Sequence, residues 1–322
     1  MTKALYHIGI DTSNYTTSAA AVSAAGEVFF AKRLLEVPQN GLGLRQSDAL
    51  FCHTRALPAL FAELRAKIEE KTPAFEALSY GATLQPRRRE GSYMPCFLAG
   101  VNAASAAAHF SQKPLFLFSH QEGHIAAARF GTALCGKAFP QEAEEFFALH
   151  LSGGTGEILA VKKSPVGYSC EILASALDIT AGQLVDRCGV ALGLAFPAGA
   201  ELEKLALQSE KHFAVKIAKK ETGVSFSGFE NKFRAMIEKG EAACDVARYV
   251  FSAVLTGVEA LLSFIPPEKA KLPVLFSGGV SSSVLLRETF RQENHYFAPP
   301  AFSADNAIGT ALLAKRLWEE AQ

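Results

Sequence analysis

The sequence predicts an α/β protein built from two related lobes with a cleft between them, and one repeated pattern carries that prediction. A short apolar run enters a turn of small polar residues near residue 10 and leaves it in a second apolar run. The same order of features returns near residue 153. Each copy is typical of a β-hairpin. We therefore expect a duplicated domain, with one lobe at 1–140, a second at 141–322 and the crossing between them at 136–145.

The first lobe is expected to begin with three short strands, at 5–10, 18–22 and 28–34. Helical spacing of apolar residues then predicts a long helix, which Ser47 and Asp48 can cap and which Pro58 should kink. Two further strands enclose an alanine-rich helix in a βαβ unit, at 75–80, 97–110 and 114–118.

The second lobe is expected to repeat the three opening strands, at 146–151, 158–161 and 168–174. Near its end, a strand at 274–276 runs into Ser277-Gly278-Gly279-Val280, and a helix is expected from about Ser281. Asp305 should cap a last helix that ends near Glu320. Duplication with a cleft between the copies is the layout of the actin and sugar-kinase (ASKHA) superfamily, so this is the predicted architecture.

The composition excludes several classes of protein. Hydrophobic residues make up 49% and charged residues 20%, as in ordinary globular chains. Lysine plus arginine equals aspartate plus glutamate, 32 each, which argues against a nucleic-acid binder driven by charge alone. We find neither a signal-peptide pattern nor the roughly 20 apolar residues that span a bilayer. Six scattered cysteines without a CxxC pair indicate reduced thiols. We expect a cytoplasmic protein without a membrane partner.

A candidate metal site lies in the run His120-Gln121-Glu122-Gly123-His124. Two histidines four residues apart share one helical face and can bind one metal ion. A zincin protease is not expected, because its glutamate directly follows the first histidine, where this chain has Gln121. Glu122 should point to a different face. The alternative is a helix whose two histidines are partly buried and hydrogen-bonded without metal.

Asp305 is a candidate third ligand of the same metal. Within Ser303-Ala304-Asp305-Asn306 it can serve as a plain helix N-cap. It can also complete a set of two histidines and one carboxylate, which suits iron(II), zinc or manganese.

Three turns of small residues follow apolar strands and indicate a nucleotide site: Asp11-Thr12-Ser13, Ser152-Gly153-Gly154 and Ser277-Gly278-Gly279. Glycine lets the backbone approach a phosphate, and successive N–H groups bind anions. Simple tight turns are the alternative.

Two further features have an open interpretation. Asp186 is predicted in mid-helix among apolar neighbours, where a carboxylate needs a partner such as a pair of ribose hydroxyls, or else lies on the surface. The run Arg87-Arg88-Arg89 either contacts phosphate or a partner protein, or forms a solvated loop.

Taken in order, these motifs resemble one family, the catalytic subunit that forms threonylcarbamoyladenosine in tRNA, historically called a glycoprotease. The resemblance covers residues 8–313. The matching motifs are HxEGH at 120–124, SGG at 152–154, an aspartate-containing helix with a following Pro-x-Gly at 178–186 and 197–199 and then Glu203-Lys204-Leu205-Ala206, SFSG at 225–228, GGVS at 278–281 and DN at 305–306.

The resemblance implies the site and the reaction. It implies that His120, His124 and Asp305 bind one divalent metal, iron or zinc, and that Asp11 and Ser13 are catalytic. It implies an adenylate pocket lined by Ser152, Gly153, Gly154, Asp186, Gly199, Gly278, Gly279 and Ser283. The family reaction transfers threonylcarbamoyl from its adenylate to the N6 amine of a tRNA adenosine near the anticodon, so an adenylate or ATP-type nucleotide is expected as substrate. Partner subunits of the same pathway are expected.

Several departures from the family pattern indicate a divergent paralogue. A Glu-Thr-Ser-Cys-Asp-Glu-Thr run is usual where this chain has 11–17, and Gln85-Pro86-Arg87-Arg88-Arg89-Glu90 stands where Gly-Pro-Gly is usual. Thr155-Gly156 replaces His-Thr after SGG, and Ser283 replaces an asparagine. The alternative functions are a carbamoyltransferase with another acceptor, or a non-catalytic nucleotide-binding partner subunit. A protease is not expected.

Overall fold

The computed structural model describes residues 3–13, 15–35, 45–303 and 307–322. Within them, the strands are Ala4–Ser13 (β1), Thr16–Ser23 (β2), Val28–Leu34 (β3), Phe75–Gln85 (β4), Leu115–Ser119 (β5), Glu145–Leu151 (β6), Gly156–Ser164 (β7), Gly167–Ala176 (β8), Ala218–Lys220 (β9), Gly223–Ser225 (β10), Val274–Ser277 (β11) and His295–Phe297 (β12). The α-helices are Gln46–Lys71 (α1), Phe97–Ser111 (α2), His120–Gly131 (α3), Ala181–Ala191 (α4), Gly199–Ala206 (α5), Ser227–Glu238 (α6), Ala243–Leu262 (α7), Val284–Thr289 (α8), Pro300–Ser303 (α9) and Ala307–Glu320 (α10).

The chain divides into two compact units. The first is made of Met1–Phe130, Lys163–Ser169 and Ala304–Gln322, and the second of Gly131–Lys162 and Cys170–Ser303. The sequence prediction of lobes at 1–140 and 141–322 stays a prediction. The short segment Lys163–Ser169, at the turn between β7 and β8, is grouped with the first unit although the flanking chain belongs to the second.

The sheet of the first unit has the order β3-β2-β1-β4-β5. β1 and β2 form an antiparallel hairpin in which Asp11 pairs with Ser18, whereas β4 runs parallel to both β1 and β5. Its apolar side chains pack on α1, whose buried Leu57, Leu60 and Leu64 recur at helical spacing. The parallel pair β4 and β5, connected by α2, confirms the predicted βαβ unit.

The sheet of the second unit has the order β12-β11-β6-β7-β8-β10-β9. Its β6 and β7 form an antiparallel hairpin, and β11 runs parallel to both β6 and β12. Buried residues of α4, α6 and α7 pack against it in one core. The hairpin followed by a parallel neighbour repeats the arrangement of β1, β2 and β4, so the predicted α/β duplication is confirmed at the level of the sheets.

Two predicted helix starts are wrong. Ser47 and Asp48 lie in the first turn of α1, whose N-cap residue is Arg45. The helix expected from Ser281 begins instead at Val284, because Gly279–Ser282 forms a 3₁₀ turn and the Ser283 hydroxyl then accepts a bond from the Leu286 N–H. Asp305, the predicted cap of α10, lies outside the described residues. In the described part of the chain no helix has the length and apolar character needed to cross a membrane.

Candidate functional site

The first candidate region lies in the first unit, where β1 ends and α3 begins. Asp11 stands near the end of β1, and His120 is the first residue of α3. The Nδ1 atom of His120 is 3.0 Å from Oδ2 of Asp11. The imidazole rings of His120 and His124 have centroids 4.6 Å apart, as their spacing along one helical face predicts. The fold therefore brings one carboxylate and both histidines together.

The Asp11 carboxylate is buried, and its hydrogen bonds favour the ionised form. Its residue is 1% exposed, and the backbone N–H of Ser13 donates to Oδ1 at 2.9 Å. Burial acts to raise the pKa of Asp11, but the charge and hydrogen bond of His120 and the bond from Ser13 outweigh it, so the pKa lies below its usual value. Asp11 therefore holds the His120 ring, and Ser13 holds Asp11.

The histidine pair fits two ligands of a metal ion. When a carboxylate accepts from one ring nitrogen of a histidine, the tautomer and orientation of the ring are fixed for metal binding through the other nitrogen. The bond between Asp11 and His120 has this form. The predicted third ligand, Asp305, lies outside the described residues, and the residues that are described contain no group of three or more potential ligands arranged around one ion.

Glu122 takes no part in that group, as expected from its position. Its residue is 1% exposed, and its carboxylate accepts from the Ser119 N–H at 2.7 Å and the Tyr168 N–H at 2.8 Å. Arg88 also donates to it, at 2.7 Å. The expectation of a purely solvated loop at Arg87-Arg88-Arg89 is therefore wrong for its middle residue, because Arg88 forms an ion pair with a buried carboxylate.

The second candidate region is a cavity of about 400 Å³ in the second unit. Five residues of the predicted adenylate pocket line it, namely Gly153, Asp186, Gly199, Gly279 and Ser283. Ser152, Gly154 and Gly278 are their neighbours in sequence and are not among its lining residues. The SGG turn, α4, α5 and the segment before α8 thus all contribute to the lining of the cavity.

The SGG turn is tied to the start of α4. Thr180 and Gln183 form a capping box at that start, with both reciprocal bonds 3.1 Å long. The Thr180 hydroxyl also donates to the carbonyl of Gly153 at 3.0 Å. Within the turn, the Ser152 hydroxyl accepts from the Thr155 N–H at 3.0 Å. The SGG turn is therefore both a tight turn and part of the wall of the cavity.

The other glycine turn depends on the conformation of Gly278. Its φ is +90°, and an added Cβ would lie 2.1 Å from the carbonyl oxygen of Leu151. Only glycine fits this position without displacing the backbone of β6. Gly278 therefore acts by close packing, whereas the next residue, Gly279, lines the cavity.

Asp186 has a protein partner and a place in the cavity wall. Its side chain is partly buried, and Oδ1 accepts from the Ala198 N–H at 2.9 Å. This bond joins α4 to the segment that leads into α5. This hydrogen bond contradicts the interpretation of Asp186 as an ordinary surface residue, whereas the predicted contact with ribose hydroxyls stays a prediction.

The sequence prediction missed Glu203. This residue of α5 lines the cavity, and its Oε1 atom accepts from the Ser283 hydroxyl at 2.5 Å and the Leu285 N–H at 3.0 Å. Its signal in the sequence was its place in the run Glu203-Lys204-Leu205-Ala206, which follows Pro-x-Gly at 197–199. The cavity therefore has two carboxylates in its wall.

Comparison with known proteins identifies related sequences over most of the chain. The family model described as "TsaD: tRNA N6-adenosine threonylcarbamoyltransferase" matches residues 91–312. A tRNA N6-adenosine threonylcarbamoyltransferase of Thermus thermophilus is 27% identical over 321 residues, covering 98% of this chain and 92% of that protein. A probable bifunctional tRNA threonylcarbamoyladenosine biosynthesis protein of Methanothermobacter thermautotrophicus is 26% identical, covering 97% of this chain but 56% of its own length.

Solved structures with a similar fold are more distant in sequence. Full-length HypF in a phosphate- and nucleotide-bound form has a TM-score of 0.55 at 14% identity, over 100% of this chain and 56% of that one. A ROK-family transcriptional regulator has a TM-score of 0.50 at 12% identity, over 98% of this chain and 78% of that one. At such identities the likeness concerns the fold alone, and it confirms the predicted ASKHA-type architecture.

Proposed function

We propose, from the premise that this chain belongs to the TsaD family of tRNA N6-adenosine threonylcarbamoyltransferases, that it transfers threonylcarbamoyl from threonylcarbamoyl-adenylate to a tRNA adenosine near the anticodon. Membership of this family makes the chain a transferase rather than a protease. In the transfer, N6 of the adenosine attacks the carbamoyl carbon. The new N–C bond forms while the bond from that carbon to the AMP oxygen breaks. AMP leaves with the electron pair, and N6 loses a proton.

The lining of the cavity in the second unit carries this proposal. Its described lining residues include the carboxylates of Asp186 and Glu203 and no lysine or arginine. Carboxylates accept hydrogen bonds from hydroxyl groups and repel phosphate, so they favour the ribose of a nucleotide. Gly153 and Gly279, which offer backbone without a side chain, suit the phosphate end. This division matches an adenylate better than it matches inorganic phosphate.

A divalent metal, iron or zinc, is proposed to bind His120, His124 and Asp305. Bound there, it would stabilise negative charge as a Lewis acid. The buried carboxylate of Asp11 accepts from His120, which supports a role in orienting that ring. The catalytic roles that the resemblance implies for Asp11 and Ser13 stay predictions. Ser13 supports Asp11 through its N–H. We accordingly propose positioning roles for both residues.

Partner proteins are proposed to provide much of the tRNA-binding surface. The chain carries 32 basic and 32 acidic residues, so its overall charge does not favour RNA. Arg88 is already paired with Glu122. Partner subunits of the same pathway would supply the cations that position tRNA, and we propose that the complex works in the cytoplasm.

A second candidate function is transfer of a carbamoyl-type group to another acceptor. It is favoured by the segment 85–90, which replaces the usual Gly-Pro-Gly and contains the arginine that pairs with Glu122. Donor chemistry would be the same in both functions, and only the nucleophile would differ. Measuring threonylcarbamoyladenosine in tRNA therefore distinguishes the two candidate functions.

The test is replacement of the resident enzyme in cells depleted of their own tRNA threonylcarbamoyltransferase. Cells receive this chain, its His124→Ala variant or His109→Ala, which changes an exposed histidine of α2 as a matched control. Nucleosides from total tRNA are then quantified by mass spectrometry. We expect threonylcarbamoyladenosine to return with the parent chain and the control, and to stay absent with His124→Ala.

Calorimetry on the purified chain distinguishes the alternatives. If the chain binds AMP and a non-hydrolysable threonylcarbamoyl-adenylate mimic but restores no modified adenosine, tRNA is not its acceptor. If it binds neither compound and contains no metal by elemental analysis, the proposed transfer is wrong and a non-catalytic role takes its place.

A further inference from the structure

Glu122 is the most heavily hydrogen-bonded carboxylate near the candidate metal ligands. Oε2 accepts from the N–H and the hydroxyl of Ser119, each at 2.7 Å, and from Nε of Arg88 at 2.7 Å. Oε1 accepts from the Tyr168 N–H at 2.8 Å. Four donors on one buried carboxylate offset its loss of hydration. These four bonds fix the position and orientation of the Glu122 carboxylate.

One of these bonds, together with a bond from the Glu122 N–H, sets the start of the helix that carries His120 and His124. The Glu122 N–H donates to the Ser119 hydroxyl at 3.3 Å, while the Glu122 carboxylate accepts from the Ser119 N–H. This reciprocal pair is a capping box, with Ser119 as the N-cap and Glu122 three residues later. His120 is then the first helical residue and His124 lies one turn further. The rotation of both histidines about the helix axis thus follows from the position of Glu122.

Arg88 fixes Glu122 to two other segments of the first unit. Beyond its bond to Glu122, its guanidinium donates at 2.9 Å to the carbonyl of Leu117 in β5 and at 2.9 Å to the carbonyl of Val166. A planar guanidinium can serve three acceptors in different directions, which the single ammonium of lysine does less well. Arg88 belongs to the segment that stands where the family usually has Gly-Pro-Gly.

The turn at Lys163–Ser169 closes around the same carboxylate. A Cβ added at Gly167 would lie 2.0 Å from Oε1 of Glu122, and the φ of Gly167 is +141°. Arg316 of α10 donates to the Gly167 carbonyl at 2.9 Å, and Arg129 of α3 donates to the Tyr168 hydroxyl at 2.7 Å. Glycine at this position therefore lets the turn come close enough for the Tyr168 N–H to reach Glu122.

We infer that Arg88 and Glu122 are positioning residues for His120 and His124, and that Arg88, Glu122 and the turn at Gly167 form a clasp that fixes the two imidazoles for a metal ion. The role in metal binding rests on the proposed metal site, whereas the role in fixing His120 does not.

The first experiment measures Co²⁺ binding by visible absorption in the intact chain. The variants are Arg88→Met, Arg88→Lys, Gly167→Ala and, as a matched control, Arg89→Met, which removes an exposed neighbouring guanidinium. We expect Arg88→Met and Gly167→Ala to weaken Co²⁺ affinity about 10–100-fold and to change the absorption bands, as loss of an outer-shell contact does. Arg88→Lys should recover part of the affinity, and Arg89→Met should match the parent.

The second experiment follows the histidine side chains by ¹⁵N NMR in the metal-free protein. In the parent, His120 should show one tautomer with the proton on Nδ1, which donates to Asp11. Arg88→Met and Gly167→Ala should shift the His120 resonances and leave those of His7 unchanged, because His7 is buried elsewhere in β1 and bonded to Ser79. A shift at His7 as well would indicate general loss of the fold and would count against a positioning role.

The two readouts separate the inference from the proposed function. If the parent fails to bind Co²⁺, the proposed metal site is wrong, and the His120 resonances alone decide whether the clasp positions that ring. If the parent binds Co²⁺ and both Arg88→Met and Gly167→Ala keep its affinity, spectrum and His120 resonances, the inference is overturned.

Discussion

At the scale of single residues, each candidate region depends on carboxylates that a backbone N–H holds in place. Ser13 donates to Asp11, Ala198 donates to Asp186, and Leu285 donates to Glu203. Such bonds offset the free energy of dehydrating a carboxylate and fix the direction of its oxygens. A bound ligand then meets acceptors that are already oriented.

Replacing Glu203 tests this arrangement in the cavity. Glu203→Gln keeps the shape of the side chain but weakens the bonds from Ser283 and Leu285, which hold the cavity wall. A hydrogen bond to a charged group contributes roughly 1.5–3 kcal/mol, so we expect the Kd for AMP to rise about tenfold or more. Titration calorimetry measures it. Glu201→Gln, an exposed position on the same helix, should leave the Kd unchanged.

At the scale of elements, side chains from one segment repeatedly fix the start of a helix in another. Asp178, which precedes α4, caps the start of α6: its carboxylate accepts from the Ser225 hydroxyl, from the Phe226 N–H at 2.8 Å and from the Ser227 N–H at 3.1 Å. The SFSG motif at 225–228 therefore has a structural explanation. Its residues hold α6 against the segment that leads into the cavity helix α4.

The Asp178 cap should make stability depend on pH in a defined window. Burial opposes ionisation, but the bonds from Ser225, Ser227 and Phe226 outweigh it and lower the pKa of Asp178 from 3.8 to about 2. The ionised form therefore stabilises the folded state above pH 3.8, and this contribution is lost as the pH falls through about 2. Asp178→Ala should lower the free energy of unfolding by about 1 kcal/mol at pH 7, the usual size for a helix cap.

Urea unfolding at a series of pH values measures this difference. The difference in free energy of unfolding between Asp178→Ala and the parent should be constant at neutral pH and should shrink as the pH falls below 3.8. Glu171→Ala, which removes an exposed carboxylate from β8, should have nearly the parent's free energy of unfolding at every pH. A difference for Asp178→Ala that does not change with pH would contradict the assigned cap.

At the scale of the whole molecule, the sheets of the two units share an antiparallel hairpin with a parallel neighbouring strand, but different residues follow the ends of their strands. β1 ends beside histidines, whereas β6 ends in a glycine turn that lines a cavity. The charge of the chain is balanced, with 32 residues of each sign. A surface of this kind gives little long-range attraction for RNA, although local contacts can still form.

The charge balance predicts a shallow salt dependence for tRNA binding by the isolated chain. A protein that makes 6–10 phosphate contacts loses roughly 10³–10⁵ in affinity between 50 and 200 mM salt. We expect this chain alone to lose less than about tenfold, because few of its cations can be committed to phosphate. Fluorescence anisotropy with labelled tRNA measures the slope. A steep slope would show that the chain itself provides the cationic surface and needs no partner for it.

The sequence by itself determined the α/β duplication, the paired histidines and the glycine turns, since each depends on short-range pattern. Short runs of apolar residues set β1 and β6, and a spacing of four puts His120 and His124 on one helical face. Small residues after a strand identify the turn at Ser152. The capping box of Ser119 and Glu122 was not predicted, although its two residues lie three apart.

Only the tertiary structure decided which distant side chains share a site. The bond from His120 to Asp11 spans 109 residues, that from Arg88 to Glu122 spans 34, and that from Ser283 to Glu203 spans 80. No local period encodes such pairs, because they arise from strand order and from the packing of helices on the sheets. For the same reason, a run of three arginines gives no sign that its middle member pairs with a buried carboxylate.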